Sequence, residues 1–170
     1  MTDARRRPTF AEVYDRHVWD VYGFLAYRVG QRDDAEDLTQ LTFERALRAW
    51  GRFDPERAQP TTWLLAIARN VLIDHWRADR SAQHDELDPE APGLPADPGI
   101  RAEVGLEPEL ERALRALGDR ERELLALRFG ADLTGQQIAE VSGMSLAAVQ
   151  QSLSRSLRRL REAMERVDAV

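Results

Sequence analysis

Apolar side chains recur every three or four residues in two blocks of the chain, and a stretch without this spacing separates them. In the first block a helix is predicted from Phe10 until Gly30. A second helix starts at an acidic cluster around Asp33, because carboxylates suit the positive end of a helix dipole. Its core-facing residues are predicted to be Ala35, Phe43, Ala46, Leu47 and Trp50. With the helix from Thr61 onward, about four helices are expected up to Arg80.

The stretch Thr61–Arg77, TTWLLAIARNVLIDHWR, carries two kinds of face. Its apolar face, which must pack, is formed by Leu64, Ile67, Ala68, Val71, Leu72 and His75. The residues that project elsewhere are Ala66, Arg69, Asn70, Ile73 and Arg77, with Trp63 and Trp76 near the ends. Arginine holds phosphate, asparagine pairs with base edges and indole stacks on unpaired bases. The alternative is a helix with solvated arginines. Thr61 or Thr62 is predicted as its N-cap.

The second block predicts a helix-turn-helix. A short helix carries Leu110, Leu114 and Leu117, and a second, capped by Asp119, carries Leu124, Leu125, Leu127 and Phe129 and ends at Gly130. Thr134 and Gln137 then form a capping box, Ser142–Met144 turns the chain, and Ser145 caps the last helix. The apolar seam of that helix is predicted to be Leu146, Val149, Leu153, Leu157 and Leu160. A plain three-helix bundle is the alternative.

The last helix is suited to DNA on its exposed side. The exposed positions are predicted to be Ala147, Ala148, Gln150, Gln151, Ser154, Arg155, Arg158, Arg159 and Arg161. Small and amide side chains at the start of the helix would meet base edges, and arginines toward its end would meet phosphates.

Residues 81–106 are predicted to be a flexible linker. Pro89, Pro92, Pro95 and Pro98 fall at every third residue among acidic and small residues, a composition that favours an extended chain over a packed core. The net charge of -6 is concentrated here, since residues 81–111 carry nine acidic and one basic side chain. Whole-chain charge is therefore a poor argument against nucleic-acid binding.

Several classes of protein are disfavoured by composition. The chain has no cysteine and its three histidines are scattered, so we expect no disulfide, metal or cofactor. The acidic cluster at residues 33–37 lies at a helix start rather than in a cleft, which argues against catalysis. The longest apolar run, Trp63–Ala68, is far short of the ~20 residues that span a bilayer, so we expect no membrane insertion and a cytoplasmic protein.

With both blocks in view, the chain resembles an extracytoplasmic-function (ECF) sigma factor, the subunit that directs bacterial RNA polymerase to promoters. DDAEDLTQLTFERAL is similar to the core-binding helix of that family, and FDPERAQPTTWLLAIARNVLIDHWR to its −10-reading loop and helix. LGDRERELLALRF and LTGQQIAEVSGMSLAAVQQSLSRSLRRLR are similar to its −35-reading domain. The resemblance implies an all-α fold with sigma domain 2 at residues 8–80, the linker at 81–106 and sigma domain 4 at 107–167.

The resemblance also implies roles for individual residues. Polymerase binding is predicted at Asp34, Asp37, Gln40 and Glu44. Contact with the −10 element is predicted at Trp63, Arg69, Asn70 and Arg77, with the loop before Thr61 helping to capture unpaired bases. Contact with the −35 element is predicted at Ala147, Gln150, Gln151, Ser154, Arg155 and Arg158.

Two departures from the family pattern qualify these expectations. Leu41 stands where the family usually has glutamate. The common run valine-lysine-serine-arginine-leucine is Val149–Leu153 here, VQQSL, which lacks two positive charges and puts upstream affinity in doubt. We predict a sigma factor, not itself an enzyme, that is monomeric when free, with core RNA polymerase, promoter DNA and an anti-sigma factor as partners. The alternatives are a stand-alone helix-turn-helix repressor, or a polymerase- or anti-sigma-binding protein with weakened −35 reading.

Overall fold

The computed structural model describes residues 6–29, 31–84 and 108–168, and all regular structure in these residues is helical. The helices are α1 Phe10–Val29, α2 Arg32–Ala49, α3 Pro60–His84, α4 Pro108–Arg115, α5 Asp119–Leu125, α6 Gly135–Ser142 and α7 Leu146–Asp168. A 3₁₀ turn, Trp50–Arg52, follows α2, and a π-helical turn, Ala126–Gly130, continues α5. The predicted all-α class with two helical units is confirmed. The predicted stop at Gly30 and residues 85–106 of the predicted linker lie outside the described residues.

Helices α1, α2 and α3 form the first unit around a common apolar core. The fully buried apolar side chains of α3 are Leu64, Leu65, Ala68, Val71 and Leu72. They share one cluster with Val21, Phe24 and Leu25 of α1 and Leu38, Phe43 and Ala46 of α2. The predicted apolar face of α3 is largely confirmed. Ile67 and His75 lie at its half-buried edge, while Leu65, which was not predicted, is buried. Leu47, predicted to face the core, is 56% exposed.

The start of α3 differs from the prediction. The helix begins at Pro60, whose fixed φ suits the first helical position and whose missing N–H removes one unpaired donor. The Thr62 hydroxyl donates to the Gln59 carbonyl at 3.0 Å, and the Thr61 hydroxyl lies 3.1 Å from Nδ1 of His17. The predicted cap at either threonine is therefore wrong. At its other end α3 continues through Ser81–His84, the first residues that were assigned to the linker.

In the second unit α4, α5 and α6 pack against α7. Asp119, predicted as the cap of α5, is instead its first residue, and Gly118 occupies the cap position. The π-helical turn inserts an extra residue into the helical repeat, which buries Ala126 and Leu127 and leaves Phe129, predicted to be apolar core, 55% exposed. In α7 the buried positions are Val149, Ser156 and Ala163, while the predicted seam residues Leu146 and Leu157 are exposed.

The two units pack directly against each other. Helix α1 lies against the π-helical turn and α3 lies against α6. One continuous cluster of buried apolar side chains runs through both units, joining residues such as Phe24 and Leu64 to Leu127 and Ile138. The described residues thus form a single closed body.

The core position Leu64 yields a test of this packing. Leu64→Ala should lower the free energy of unfolding by about 2–5 kcal/mol, because it removes a fully buried side chain and leaves a cavity. Leu47→Ala, the same substitution at an exposed position of α2, should change it by less than about 0.5 kcal/mol. Urea titration followed by far-UV circular dichroism measures both, and equal losses for the two variants would contradict the packing described.

Candidate nucleic-acid interface

The turn before α7 sets the direction of that helix. The predicted capping box is confirmed: the Gln137 N–H donates to the Thr134 hydroxyl at 3.2 Å and the Thr134 N–H donates to the Gln137 side chain at 2.9 Å. Gly143 has φ +70°, a conformation that favours glycine, and the Ala148 N–H donates to the predicted cap Ser145 at 3.1 Å. The local sequence therefore fixes α6, the turn and α7 as a helix-turn-helix.

The residues predicted to meet the −35 element lie together on the exposed side of α7. Ala147, Gln150, Gln151, Ser154, Arg155 and Arg158 are all exposed. The last five of them border one shallow, open concavity of about 420 Å³. Ser152, the fourth residue of the run Val149–Leu153, is half-buried, and its carbonyl accepts a hydrogen bond from the Ser156 hydroxyl at 2.7 Å. Amides and guanidiniums at one surface are suited to base edges and phosphates.

Arg159, also predicted to be exposed on α7, forms an ion pair within the second unit. Its Nη1 donates to both carboxylate oxygens of Glu121 on α5 at 2.7 Å. Burial alone would raise the pKa of Glu121, but the hydrogen bond from the Gly118 N–H and the charge of Arg159 outweigh it, so the pKa of this carboxyl lies below its usual range. Glu121 therefore stays ionised at neutral pH and ties α5 to α7.

On α3 the predicted −10 residues fall in different environments. Asn70 and Arg77 are exposed. Trp63 is half-buried, and its ring centroid lies 4.8 Å from that of Phe53 and 5.9 Å from that of Trp50. Arg69 is bound by Glu123 of the second unit, with its Nε 2.6 Å from the carboxylate. Of the four, Asn70 and Arg77 are exposed, whereas Trp63 and Arg69 are half-buried.

The loop between α2 and α3, which was predicted to help capture bases, is bound by Arg7, a residue that precedes α1. Arg7 donates to the carbonyl oxygens of Trp50 at 2.7 Å and Phe53 at 2.8 Å, and its guanidinium lies 5.3 Å from the Trp50 ring centroid. His17 joins α1 to α3, lying 3.0 Å from Asp20 and 3.1 Å from Thr61. Neither residue was predicted, since Arg7 lies before the first predicted helix and His17 was one of three scattered histidines.

The predicted polymerase-binding residues share one side of α2. Asp37, Gln40 and Glu44 are exposed, Asp34 is half-buried, and Gln40 donates to Glu44 at 3.2 Å. Gln40 and Glu44 also line a groove of about 870 Å³ between α1 and α2. Its apolar wall includes Tyr14, Trp19 and Leu47, which are 43%, 73% and 56% exposed. Apolar surface next to acidic side chains is typical of a protein-binding site. The exposure of Tyr14 was not predicted, because its spacing fits the apolar face of α1.

Within the described residues, no group of three or more histidine and acidic side chains is placed to hold a metal ion. Among the described helices, none is both long and apolar enough to cross a membrane.

Comparison with known proteins matches both units. The family model for Sigma-70 region 2 matches residues 13–82, and the model for Sigma-70 region 4 matches residues 113–162. The ECF RNA polymerase sigma factor RpoE of Cereibacter sphaeroides is 30% identical over 95% of this chain and 90% of its own length. The ECF sigma factor SigF of Caulobacter vibrioides is 35% identical over 85% of this chain and 79% of its own. This chain is an ECF sigma factor.

The other similarities agree with this assignment. The ECF sigma factor BldN of Streptomyces coelicolor is 32% identical over 89% of this chain, which spans 58% of the BldN length. Among solved structures, the sigma factor RpoE of Bartonella quintana, determined in complex with the anti-sigma factor NepR, superposes with a TM-score of 0.72 over 92% of this chain and 96% of that one, at 23% identity. The structural match establishes the fold. The recognition of the family from the quoted motifs is confirmed.

Proposed function

We propose that this ECF sigma factor binds core RNA polymerase in the cytoplasm, directs it to promoters and helps to open the DNA there. The chain supplies recognition and the polymerase supplies the chemistry. The −10 element is assigned to α3 with Asn70 and Arg77, and the −35 element to α7. Exposed Asp37, Gln40 and Glu44 on α2 are assigned to the polymerase, with Asp34 at their edge.

The observation that carries this proposal is the presence of two polar faces with nucleic-acid chemistry on one chain, one on α3 with Asn70 and Arg77 and one on α7. A stand-alone repressor needs only the α7 face and a symmetric dimer. It has no use for an amide and a guanidinium on α3 or for an acidic edge beside an apolar groove on α2. We further propose that the chain is monomeric when free and is restrained by an anti-sigma factor, as the complex of the Bartonella quintana protein suggests.

A second function is favoured by one observation. Gln150, Gln151 and Ser152 supply no positive charge at the start of α7, which would suit a chain that binds polymerase or an anti-sigma factor but reads upstream DNA weakly. Transcription reconstituted from core polymerase, the purified chain and a genomic promoter library separates the candidates. Specific initiation that requires both components supports the sigma factor. DNA binding without polymerase and without initiation supports the repressor, and core binding without initiation supports the interaction protein.

Polymerase binding can be tested on α2. Replacing Asp37 and Gln40 together by alanine should weaken core binding by about tenfold or more, because two exposed polar groups one turn apart are lost from the contact with a basic partner. Glu162→Ala with Glu165→Ala, an exposed acidic pair on α7, is the control and should leave core affinity unchanged. Fluorescence titration with core polymerase measures both. Unchanged affinity in the α2 variant would remove this face from the interface.

Upstream DNA binding can be tested at Gln150. A lysine there adds one phosphate contact, so Gln150→Lys should steepen the plot of log affinity against log salt by about one unit and tighten binding to matched and unmatched DNA alike. Asp15→Asn on α1 raises the net charge by the same amount away from α7 and is the control. Promoter binding by the reconstituted holoenzyme at several salt concentrations gives the slopes. Identical slopes for both variants would show that Gln150 does not face phosphate.

A further inference from the structure

The segment that precedes α1, residues 6–9, is attached to the first turn of that helix, and we call it the N-terminal arm. The Thr9 N–H donates to the Glu12 carboxylate at 2.7 Å, and the Glu12 N–H donates to the Thr9 hydroxyl at 3.3 Å, which makes a capping box. Arg6 also pairs with Glu12. The hydrogen bonds from Thr9 and the charge of Arg6 hold the pKa of Glu12 below its usual range. The direction of the arm is therefore set by contacts with the start of α1.

The arm places Arg7 on the 3₁₀ turn that follows α2. One nitrogen of Arg7, Nη2, donates both to the Trp50 carbonyl at 2.7 Å and to the Phe53 carbonyl at 2.8 Å, which lie 43 and 46 positions later in the chain. These distances are typical of charge-assisted hydrogen bonds, which are about twice as strong as bonds between neutral groups. Trp50 is the first residue of the turn and Phe53 follows its last. A single side chain thus ties the two ends of the turn together.

The turn bound by Arg7 belongs to an aromatic cluster. The rings of Trp50 and Phe53 are stacked, with centroids 5.0 Å apart and an interplanar angle of 14°. The Phe53 ring lies 4.8 Å from that of Trp63 on α3, and the Arg7 guanidinium lies 5.3 Å from the Trp50 ring centroid. Arg7 therefore contacts a group of side chains that includes Trp63, one of the residues predicted to meet the −10 element.

The loop between α2 and α3, residues 53–59, is anchored at both ends and exposed between them. At its end the Gln59 carbonyl accepts a hydrogen bond from the Thr62 hydroxyl at 3.0 Å. At its start the Phe53 carbonyl accepts the hydrogen bond from Arg7. The four residues after Phe53 are exposed. The conformation of this exposed part depends on how its two ends are fixed, and Arg7 fixes one of them from outside the loop.

The arm and the loop also share a surface. Arg6 and Pro8 of the arm and Pro55 and Gln59 of the loop border one open concavity of about 390 Å³. Displacement of the loop from the arm would change the shape of this surface. Arg16 of α1 borders the same concavity and is exposed. In the part of the chain that the structure describes, Arg16 makes no hydrogen bond to the loop, so it brings positive charge to this surface without fixing the loop.

We propose that Arg7 is a positioning residue, which fixes the start of the loop between α2 and α3 in the conformation that captures an unpaired base of the −10 element. The proposal rests on the proposed function, since it takes this loop, together with α3, as part of the −10-reading surface. Arg7 acts through the carbonyls of Trp50 and Phe53 and not by binding phosphate. A loop that is ordered before binding gains affinity, because the cost of ordering it is not incurred when the base arrives.

The first test measures the loop in the free, full-length chain. Arg7→Ala removes an exposed side chain that precedes α1, so the variant should fold as the parent does. Hydrogen exchange of the Phe53 amide, which donates to the Trp50 carbonyl at 3.1 Å, should become about tenfold faster, as expected when charge-assisted hydrogen bonds are lost from this turn. Arg16→Ala makes the same charge change beside the same loop and is the matched control. It should leave exchange in the loop unchanged, and exchange in α7 should be unchanged in both variants.

The second test measures base reading by the reconstituted holoenzyme. The probe is a promoter fragment in which the non-template strand of the −10 element is unpaired, and each base of that element is removed in turn. The preference of the parent for the intact probe over the probe that lacks the captured base should fall by about tenfold in Arg7→Ala, the factor that holding one base is worth. The slope of log affinity against log salt should stay the same, because no phosphate contact is lost. Arg16→Ala should keep the preference of the parent.

Faster exchange in the loop together with a lost base preference at an unchanged salt slope supports the proposal. A salt slope that falls by about one unit while the base preference stays intact would make Arg7 a phosphate contact and overturn it. Parent-like exchange in Arg7→Ala also overturns it, as does faster exchange with an intact base preference. The exchange measurement needs neither polymerase nor DNA, so a holoenzyme that fails to initiate transcription would reject the proposed function separately.

Discussion

Helix α3 buries one apolar face and keeps another face polar. The arrangement of the rest of the molecule depends on the packing of that apolar face. Burying a leucine or valine side chain is worth about 1.5–3 kcal/mol, and α3 buries five apolar side chains completely. No single exposed contact to DNA competes with that sum. The rotation of α3 is therefore decided by the core, and the outward direction of Asn70 and Arg77 is its consequence.

Helix α7 also has a buried face and an exposed polar face, but it buries fewer side chains than α3. Its buried positions are few, and one of them is Ser156, whose hydroxyl is satisfied by a backbone carbonyl. The direction of the helix is set instead at its beginning, by the capping box of Thr134 and the left-handed Gly143. These devices act on the backbone locally, so the exposed face of α7 is free to vary. The neutral run Gln150–Ser152 is such a variation, and it alters charge without altering the helix.

The contact between the units differs from a purely apolar core because it also contains ion pairs. Its apolar part resembles a domain interior, but its polar part consists of the ion pairs Arg28–Asp119 and Arg69–Glu123. Among the described residues, the buried Nε of Arg28 has no hydrogen-bond partner. Ion pairs of this kind specify an arrangement more than they stabilise it. Arg69, which pairs with Glu123 across this contact, is also one of the residues predicted to meet the −10 element.

Periodicity in the sequence by itself determined where the helices lie, and together with the caps at Thr134 and Ser145 it determined the helix-turn-helix and the exposed side of α7, because these depend on neighbours within one or two turns. They also determined the family, through motifs that are each local. What depends on packing could not be found in this way. The π-helical turn that exposes Phe129, the exposure of Leu47 and Trp19 beside the α2 face, and the burial of Leu65 are set by which helix lies opposite.

Only the tertiary structure decided which charged side chains pair with each other. Asp119 is an acidic residue that follows a turn, and this position predicts a helix cap. In the structure it instead accepts a hydrogen bond from Arg28, which lies 91 positions earlier in the chain. Arg69 has the spacing of a solvated or DNA-binding arginine, yet it meets Glu123 across the interface. The sequence specifies the polar character of such residues, but their partners are specified only when the apolar faces of two units come together, because a charge pairs with whatever that packing brings within reach.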